Sequence, residues 1–407
     1  MYMVVALAQQ EIRNLAIGDC IESGGSVDSS KDVLAMENYG CAMNLMAEAV
    51  KAMDCDPNLD TVLAALWLMI VYEQKFGDGE GRGLSSHLNG AASIMWAKRE
   101  TLSNLLAVLN ETAVPEQNIL CIGNPSKQSE TTSVFACRMI VWLSFSDAAA
   151  ASYGIGGQIN GSLWQVLSAA IDDDKDPLRG FSAIHRYSTT LFRIWGGGYP
   201  QTQLLEDLEN RQLFFLYGEC GQLRYMVAKL ASLYLHDKTE AERRLPSVDL
   251  ALRHVGRKYS ELLQVASILT FGPEKRKFVC NIRFIVPFYH ATVLDFLRIT
   301  RSNEPLNERQ YESLRQIINL AFQAYKDEGH QAMLRIAWPL FIASLESDDV
   351  VHKEWALSRF KSLGKHGPNY RRAFKVLEAA IAEQDRSGYC VSIMQFLGSG
   401  QYERFVI

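Results

Sequence analysis

Polar side chains that could transfer protons stand inside apolar stretches of the sequence. Tyr289 and His290 are neighbours in one such stretch, and Asp147 lies in another. An imidazole with an ordinary pKa of about 6.5 donates or accepts a proton near neutral pH, and a carboxyl group in an apolar site can act as an acid. If these groups face one cavity, they are the candidates for acid and base catalysis in this chain.

Aromatic side chains near the same positions could form the walls of such a cavity. The candidate lining residues are Trp142, Phe288, Tyr289, His290 and Trp338. A concave, mostly aromatic site binds small apolar molecules, and an acid within it, Asp147 or His290, could promote a cyclisation or an isomerisation. The sequence contains no nucleophile motif such as G-x-S-x-G, so covalent catalysis is not predicted.

A second interpretation treats the polar groups as parts of the scaffold. Burying a polar group without a partner costs about 1–3 kcal/mol, so buried groups on different helices are expected to pair with one another. On this interpretation Glu73, His87, Arg138 and Asp147 form hydrogen bonds across the protein and hold its helices in register. The two interpretations differ in whether the polar groups meet each other or face an open space.

The sequence offers no pattern for a metal ion or a cofactor. Its eight cysteines contain no C-x2-C pair, and its eight histidines form neither H-x3-H nor H-E-x-x-H. Zinc needs such converging ligands. Dispersed thiols are typical of reduced core residues in an intracellular protein. We therefore predict no metal and no cofactor.

Charge and hydropathy argue against two classes of partner. The formal net charge of −5 argues against direct binding of nucleic acid, because nucleic-acid-binding domains usually carry a basic face. No stretch approaches the roughly 20 apolar residues of a membrane span, and the apolar N-terminus lacks the basic start of a signal peptide. We expect an intracellular protein with a small apolar molecule or transcriptional proteins as partners. A homodimer is one arrangement left open.

Apolar residues recur at helical spacing along most of the chain, and no alternating strand pattern of useful length occurs. The predicted helices near the candidate residues cover 61–73, 133–153, 181–195, 213–235, 248–269 and 277–299. Pro287 should kink the last of them, because a proline removes one backbone hydrogen bond. We predict an all-α fold, a single large multi-helix bundle that forms one domain over 1–407, with 22–30 and 115–132 as exposed loops.

Two motifs on these helices are similar to those of a known family. The apolar run from Thr61 ends in Tyr72-Glu73, a turn leads to His87-Leu-Asn-Gly90-Ala91, and Trp338-Pro-Leu-Phe-Ile-Ala343 follows much later. Over about 33–385 the chain resembles the fungal-specific transcription factor domain, the regulatory part of zinc-cluster activators. The resemblance implies an all-α regulatory domain. It also implies that these motif residues are structural: Tyr72, Glu73, His87, Arg138, Trp338, Pro339 and Glu346.

The chain departs from the family pattern in two places. The zinc cluster that precedes the domain in such activators is absent from this sequence, and most relatives have glycine where this chain has Ser344. Because the zinc cluster is the part that reads DNA, we expect no DNA recognition by this chain itself.

Three functions are consistent with these observations. The first is a non-catalytic regulator in the nucleus that senses a small apolar effector or docks partner proteins. The second is a cofactor-free enzyme of secondary metabolism in the cytoplasm, repurposed from the helical domain, that cyclises or isomerises a polyketide or terpenoid. The third is an ordinary zinc-cluster activator whose N-terminal exons are missing from the gene model.

Overall fold

The computed structural model describes residues 1–23, 30–51, 59–111, 133–170, 178–190, 192–272, 276–301 and 304–407. Within these ranges every regular element is a helix, which confirms the prediction of an all-α fold. Two short 3-10 turns, Gly196–Gly198 and Leu363–His366, accompany the α-helices. The single domain over 1–407 stays a prediction.

The described α-helices run in this order along the chain. Helices α1 to α7 cover Tyr2–Ser23, Ser30–Lys51, Leu59–Phe76, Arg82–Ala97, Arg99–Glu111, Val134–Ala151 and Gln158–Ala170. Helices α8 to α13 cover Arg179–Ser188, Phe192–Trp195, Gln201–His236, Lys238–Lys258, Ser260–Ile268 and Lys277–Thr300. Helices α14 to α19 cover Glu308–Glu328, His330–Arg335, Ala337–Glu346, Val350–Ser362, Pro368–Ser387 and Ile393–Gly398.

The turn between α3 and α4 is built by glycine and aspartate. Gly81 has a φ of 73°, a left-handed conformation that glycine adopts without strain. Asp78 Oδ1 accepts hydrogen bonds from the backbone N–H groups of Glu80 at 3.0 Å and Arg82 at 3.2 Å. Aspartate commonly stabilises turns and helix starts in this way. The turn folds α4 back against α3, which brings His87 to the end of α3.

Helix α6 is an apolar core helix. It begins where Ser133 Oγ accepts a hydrogen bond from the backbone N–H of Ala136 at 2.9 Å, a common N-cap. Among the described helices, α6 is the one that is long and apolar enough to cross a membrane, but 78% of it is buried inside the protein. Packing against the protein interior therefore accounts for its apolar composition.

Helices α10 and α13 bring distant parts of the chain together. Helix α10 has 36 residues, which corresponds to about 54 Å, and it packs against α6, α8, α11 and α13. Helix α13 continues as one helix through Pro287 and also contacts α14 and α16. The candidate residues of α6, α13 and α16 are therefore held around the same long helix.

Two predicted helices are shorter pieces in the structure. The helix predicted over 181–195 ends at Ser188, and a separate short helix, α9, follows. At this break Ser188, Thr189 and Thr190 donate side-chain hydrogen bonds to carbonyl groups three residues earlier, which compete with further helical bonding. The helix predicted over 248–269 is interrupted at Tyr259, between α11 and α12.

The predicted loops fall largely outside the described residues. In the range 22–30, Glu22 and Ser23 close α1, and Ser30 opens α2. The other residues of that range, and all of 115–132, lie outside the described parts of the chain.

Candidate functional site

A cavity of about 280 Å³ lies between α6 and the first half of α10, with α3, α8 and α9 at its sides. We refer to it as the α6/α10 cavity. Its walls contain six aromatic residues: Trp67, Trp142, Phe145, Phe192, Phe214 and Tyr217. Its volume is that of about nine water molecules in the liquid, so the cavity accommodates a small organic molecule.

The sequence places these residues on matching helical faces. On α6, Arg138, Val141, Trp142 and Phe145 follow the i, i+3, i+4, i+7 spacing of one helix face. On α10 the lining residues are Leu204, Asp207, Leu208, Arg211, Phe214, Tyr217 and Gly218, which also share one face. Two facing stripes of this kind enclose the cavity between the helices.

The aromatic walls are arranged in two close pairs. The ring centroids of Trp67 and Trp142 are 4.8 Å apart, and those of Phe145 and Tyr217 are 4.3 Å apart. Both pairs are tilted, with interplanar angles of 42° and 33°. They leave extended apolar surfaces towards the cavity, which suit a flat apolar molecule.

Two arginines and one aspartate supply the charges of the cavity. The Arg138 guanidinium lies 5.3 Å from the centre of the Trp142 ring. Burial lowers the pKa of Arg138, and the negative charge of Asp207 opposes that effect. Within the described part of the chain, neither Arg138 nor Arg211 forms a hydrogen bond or an ion pair. Asp207, in contrast, accepts hydrogen bonds from the Tyr199 hydroxyl and, at 2.8 Å, from Gln203 Nε2.

His185 lines the cavity from α8 as a neutral imidazole. Burial, and then the positive charges of Arg138 and Lys258, lower the pKa of His185 to about 3. The imidazole packs against Gly218 so closely that a Cβ at that position would lie 2.3 Å from His185 Nδ1. At neutral pH the net charge of the cavity therefore comes from two guanidinium groups and one carboxylate.

The residues expected to form one ligand pocket lie in four places. Trp142 lines the α6/α10 cavity. Phe288 lies behind it, 5.2 Å from Tyr217 and 5.8 Å from Trp338 between ring centroids. Tyr289 and His290 line a shallow groove between α13 and α14 instead. Consecutive residues of a helix point about 100° apart, which separates Phe288, Tyr289 and His290.

Trp338 lines a second cavity of about 270 Å³, between α10, α13, α16 and the segment 390–395. Asp295 also lines this cavity, and burial raises the pKa of its carboxyl to about 6 against the positive charges of Arg298 and Arg224. Its carboxylate has no hydrogen bond or ion pair to a residue that the structure describes. Asp295 is therefore the one carboxylic acid among the described residues that line this cavity.

Asp147, a candidate acid, is used inside the scaffold. Its carboxylate accepts hydrogen bonds from the backbone N–H groups of Gly157 at 2.7 Å and Asn160 at 2.9 Å, and from Asn160 Nδ2 at 2.9 Å. Burial raises the pKa of Asp147, and these hydrogen bonds oppose the rise. Because Gly157 and Asn160 lie at the start of α7, the carboxylate anchors that helix end to α6.

The other two candidates for proton transfer have scaffold contacts as well. His290 Nδ1 lies 3.3 Å from Ser313 Oγ, and burial lowers the pKa of the imidazole to about 4. The Tyr289 hydroxyl donates a hydrogen bond to the Leu252 carbonyl at 3.4 Å. Neither residue is near Asp147 or Trp142 in the cavities described above.

The residues of the α3–α4 motif meet through a third residue, Tyr39 of α2. The Tyr39 hydroxyl lies 2.6 Å from Glu73 Oε1 and 2.6 Å from His87 Nε2. Since the carboxylate only accepts, the hydroxyl donates to Glu73 and receives a hydrogen bond from the Nε2–H tautomer of His87. Tyr39 also stacks on Tyr72 at 4.6 Å between ring centroids. The sequence reasoning missed Tyr39, whose only signal is its place in the helical pattern of α2.

The second motif is equally well packed. Trp338 is 2% exposed, and Pro339 lies in the first turn of α16, where no backbone N–H is required. Glu346 at the end of α16 forms a buried ion pair with Arg298 of α13. Arg298 also donates to Gln384 Oε1 at 2.5 Å, so the motif ties α16 to α13 and α18.

One cluster of potential metal donors occurs in the described ranges: Cys280, Asp327 and Glu328 offer atoms within 4.8 Å of one another. Asp327 already pairs with Arg283 at 3.2 Å, and burial raises the pKa of the Cys280 thiol. Glu328 likewise pairs with Arg335, so both carboxylates of the cluster already form ion pairs within the scaffold.

Comparison with known proteins gives one match. A family model described as the fungal specific transcription factor domain matches residues 1–400. No curated protein sequence matches the chain, and no solved structure does.

Proposed function

The chain belongs to the fungal-specific transcription factor domain family, and from this membership we propose that it is a non-catalytic transcriptional regulator whose α6/α10 cavity binds a small, largely aromatic effector. Family membership supports the regulatory role. The observation that carries the effector is the aromatic wall of the cavity, since a concave apolar site with few polar groups is typical of small-molecule binding.

Effector binding would act on the arrangement of helices. The walls of the cavity belong to α3, α6, α8, α9 and α10, which are separate elements of the fold. A molecule that contacts all of them stabilises the conformation in which they lie together, and it shifts the population only by its difference in affinity between conformations. In this proposal the protein works in the nucleus, where partner proteins distinguish the two conformations on its surface.

A reporter assay tests the proposal. The full chain is fused to an unrelated DNA-binding domain, and expression of a reporter gene is measured while cells receive candidate aromatic metabolites. We expect at least one compound to change expression with a saturable dose response. A fusion that never alters expression, with or without these compounds, contradicts the regulatory proposal.

Two leucines of α10 provide a matched pair of variants. Leu208 lines the cavity and is 47% exposed, whereas Leu205 is 66% exposed and lies outside the cavity lining. Leu208→Trp places a large ring at the cavity and should abolish the response to the effector. Leu205→Trp adds the same ring to the same helix and should preserve it. Equal responses of both variants would show that the effector does not bind in the α6/α10 cavity.

A catalytic alternative rests on Asp295. This acid, with a pKa raised to about 6, lies in the second cavity beside Trp338, where it could protonate an apolar substrate. Incubation of the purified protein with polyketide and terpenoid intermediates tests the alternative. Products that form with the wild type but not with Asp295→Asn would support it, and unchanged intermediates throughout would count against it.

A further inference from the structure

We propose that the α6/α10 cavity selects a planar aromatic monocarboxylate, whose carboxylate binds Arg138 and Arg211 while its ring lies between the aromatic walls. The inference rests on the proposed effector site and names the chemical class of the effector. It follows from the charges and the shape of the cavity.

Two guanidinium groups that line the cavity have no acceptor among the described residues. Arg138 is partly buried, and among the described residues its contact is the face of Trp142 at 5.3 Å rather than an acid. Arg211 lines the same cavity and likewise has no hydrogen bond or ion pair to a described residue. A partly buried cation without an acceptor in the protein gains hydrogen bonds from an anion that enters the cavity.

The net charge of the cavity favours a monoanion. Asp207 is the one carboxylate among the described lining residues, and Tyr199 and Gln203 hold it by hydrogen bonds. His185 is neutral at physiological pH because of its burial. Two guanidinium groups and one carboxylate leave one positive charge. A carboxylate neutralises that charge, whereas a dianionic phosphate would add a negative charge close to Asp207.

The shape of the cavity favours a flat ring. Aromatic rings line the cavity from both main helices, Trp142 and Phe145 from α6 and Phe214 and Tyr217 from α10, and Trp67 of α3 packs against Trp142. A volume of about 280 Å³ suits one or two fused rings but not a folded peptide. Guanidinium groups bind planar carboxylates through two parallel hydrogen bonds, so the charged end of the ligand would be oriented as well as neutralised.

Matched acid and amide probes test the charge. Binding of 2-naphthoate, its amide 2-naphthamide and 2-naphthyl phosphate to the full chain is measured by isothermal titration calorimetry. Quenching of tryptophan fluorescence reports the site, since Trp67 and Trp142 lie in the wall. We expect the acid to bind about ten- to a hundredfold more tightly than the amide, the range for a hydrogen bond to a charged group. The phosphate should bind less tightly than the acid.

Three arginine variants locate the charge. Arg138→Gln should bring the acid-to-amide ratio close to one, and Arg211→Gln should lower it. Arg243→Gln, on an arginine whose side chain is 75% exposed and pairs with Glu240, should leave the ratio unchanged. Because Arg138 contacts the Trp142 ring but has no acceptor in the free protein, Arg138→Gln should lower the midpoint of urea unfolding only slightly. This combination separates a ligand contact from a structural role.

The outcomes separate this inference from the proposed function. Three results would each contradict the selection of a carboxylate. They are equal binding of acid and amide, a preference for the acid that is retained in Arg138→Gln, and tighter binding of the phosphate than of the acid. If acid and amide bind equally and Leu208→Trp blocks both, the effector cavity stands and only its charge selection fails. If no probe binds and the reporter fusion responds to no compound, both proposals fail together.

Discussion

The Arg224 guanidinium lies 3.9 Å from the centre of the Trp338 ring, face to face with the tryptophan of the second family motif. Arg224 is 1% exposed and donates hydrogen bonds to Ser152 Oγ at 2.9 Å and to the Ile407 carbonyl at 2.8 Å. A desolvated contact of a cation with a tryptophan face contributes about 2 kcal/mol. The tryptophan thus serves as the electrostatic partner of a buried charge on α10.

We predict that Trp338→Ala lowers the free energy of unfolding by about 3–5 kcal/mol, because it opens a cavity and removes the partner of Arg224. Urea unfolding followed by circular dichroism measures the change. Trp195→Ala is the control, since Trp195 is 67% exposed, and it should change stability by less than about 0.5 kcal/mol. A similar decrease in the free energy of unfolding for both variants would show that burial of Trp338 against Arg224 does not stabilise the fold.

Tyr39→Phe should lower the free energy of unfolding by about 1–3 kcal/mol, because Glu73 and His87 then lose their shared partner. The phenyl ring can still stack on Tyr72, so the loss reports the hydroxyl. Tyr311→Phe removes an exposed hydroxyl that donates to Asp348 and should cost less than about 0.5 kcal/mol. Thermal and urea unfolding of both variants provide the measurement, and equal stability of Tyr39→Phe and wild type would refute the bridging role.

Two glycines of α4 should respond in opposite directions to alanine. At Gly83 a Cβ would lie 2.4 Å from Glu73 Oε2, and the carboxylate would have to leave Tyr39. Gly83→Ala should therefore cost about 1–3 kcal/mol. Gly90 lies in the interior of α4, and a Cβ at this position would meet no atom of a neighbouring element within 4 Å. Gly90→Ala should therefore raise the free energy of unfolding by about 0.5–1 kcal/mol. Urea midpoints of the two variants that shift in the same direction would contradict this prediction.

The pKa of His185, lowered to about 3 by burial, makes stability depend on pH. In the unfolded chain its pKa is near 6.5, so the unfolded state binds more protons between these values, and stability falls as the pH falls below about 6.5. From pH 7 to pH 5 the loss through His185 should reach up to about 2 kcal/mol.

His185→Gln removes that contribution, so its stability should fall less steeply between pH 7 and pH 5 than that of the wild type. His290, with its pKa lowered to about 4 by burial, keeps part of the slope in the variant. The control is His236→Gln on an exposed histidine, which should follow the wild type. Urea unfolding at pH 7, 6 and 5 measures the slopes, and identical slopes for all three proteins would exclude His185 as the source.

Helical periodicity was enough to predict the fold class, because apolar residues recur at helical spacing along most of the chain and no alternating strand pattern competes with it. The motifs that resemble the family fall on α3, α4 and α16, and the family match confirms the resemblance. The start of α10 was wrong in the prediction. The residues from Gln201 to Gln212 are mostly polar there, although Leu204, Leu208 and Arg211 keep the helical spacing. That missed third of α10 contributes Leu204, Asp207, Leu208 and Arg211 to the cavity lining.

Spacing within one helix could not show which side chains meet between helices. Tyr39 reaches Glu73 and His87 only because α2 and α4 both pack against α3. Arg138 was predicted to pair with a polar group of the scaffold, but among the described residues it contacts the Trp142 ring instead. Which groups surround Arg138 depends on how α6 faces α10. Such contacts come from tertiary packing, which spacing along a single sequence does not reveal.

The length of α10 has a mechanical consequence. Leu204 to Gly218 line the cavity beside α6, and Ala228 to Leu235 line the cavity beside Trp338. The two linings are separated by about 15 Å of continuous helix, from Gly218 to Ala228. A rotation of α10 about its own axis would displace the walls of both cavities. Because the two cavities share this helix, a movement of α10 when an effector binds in the first cavity would also move part of the lining of the second.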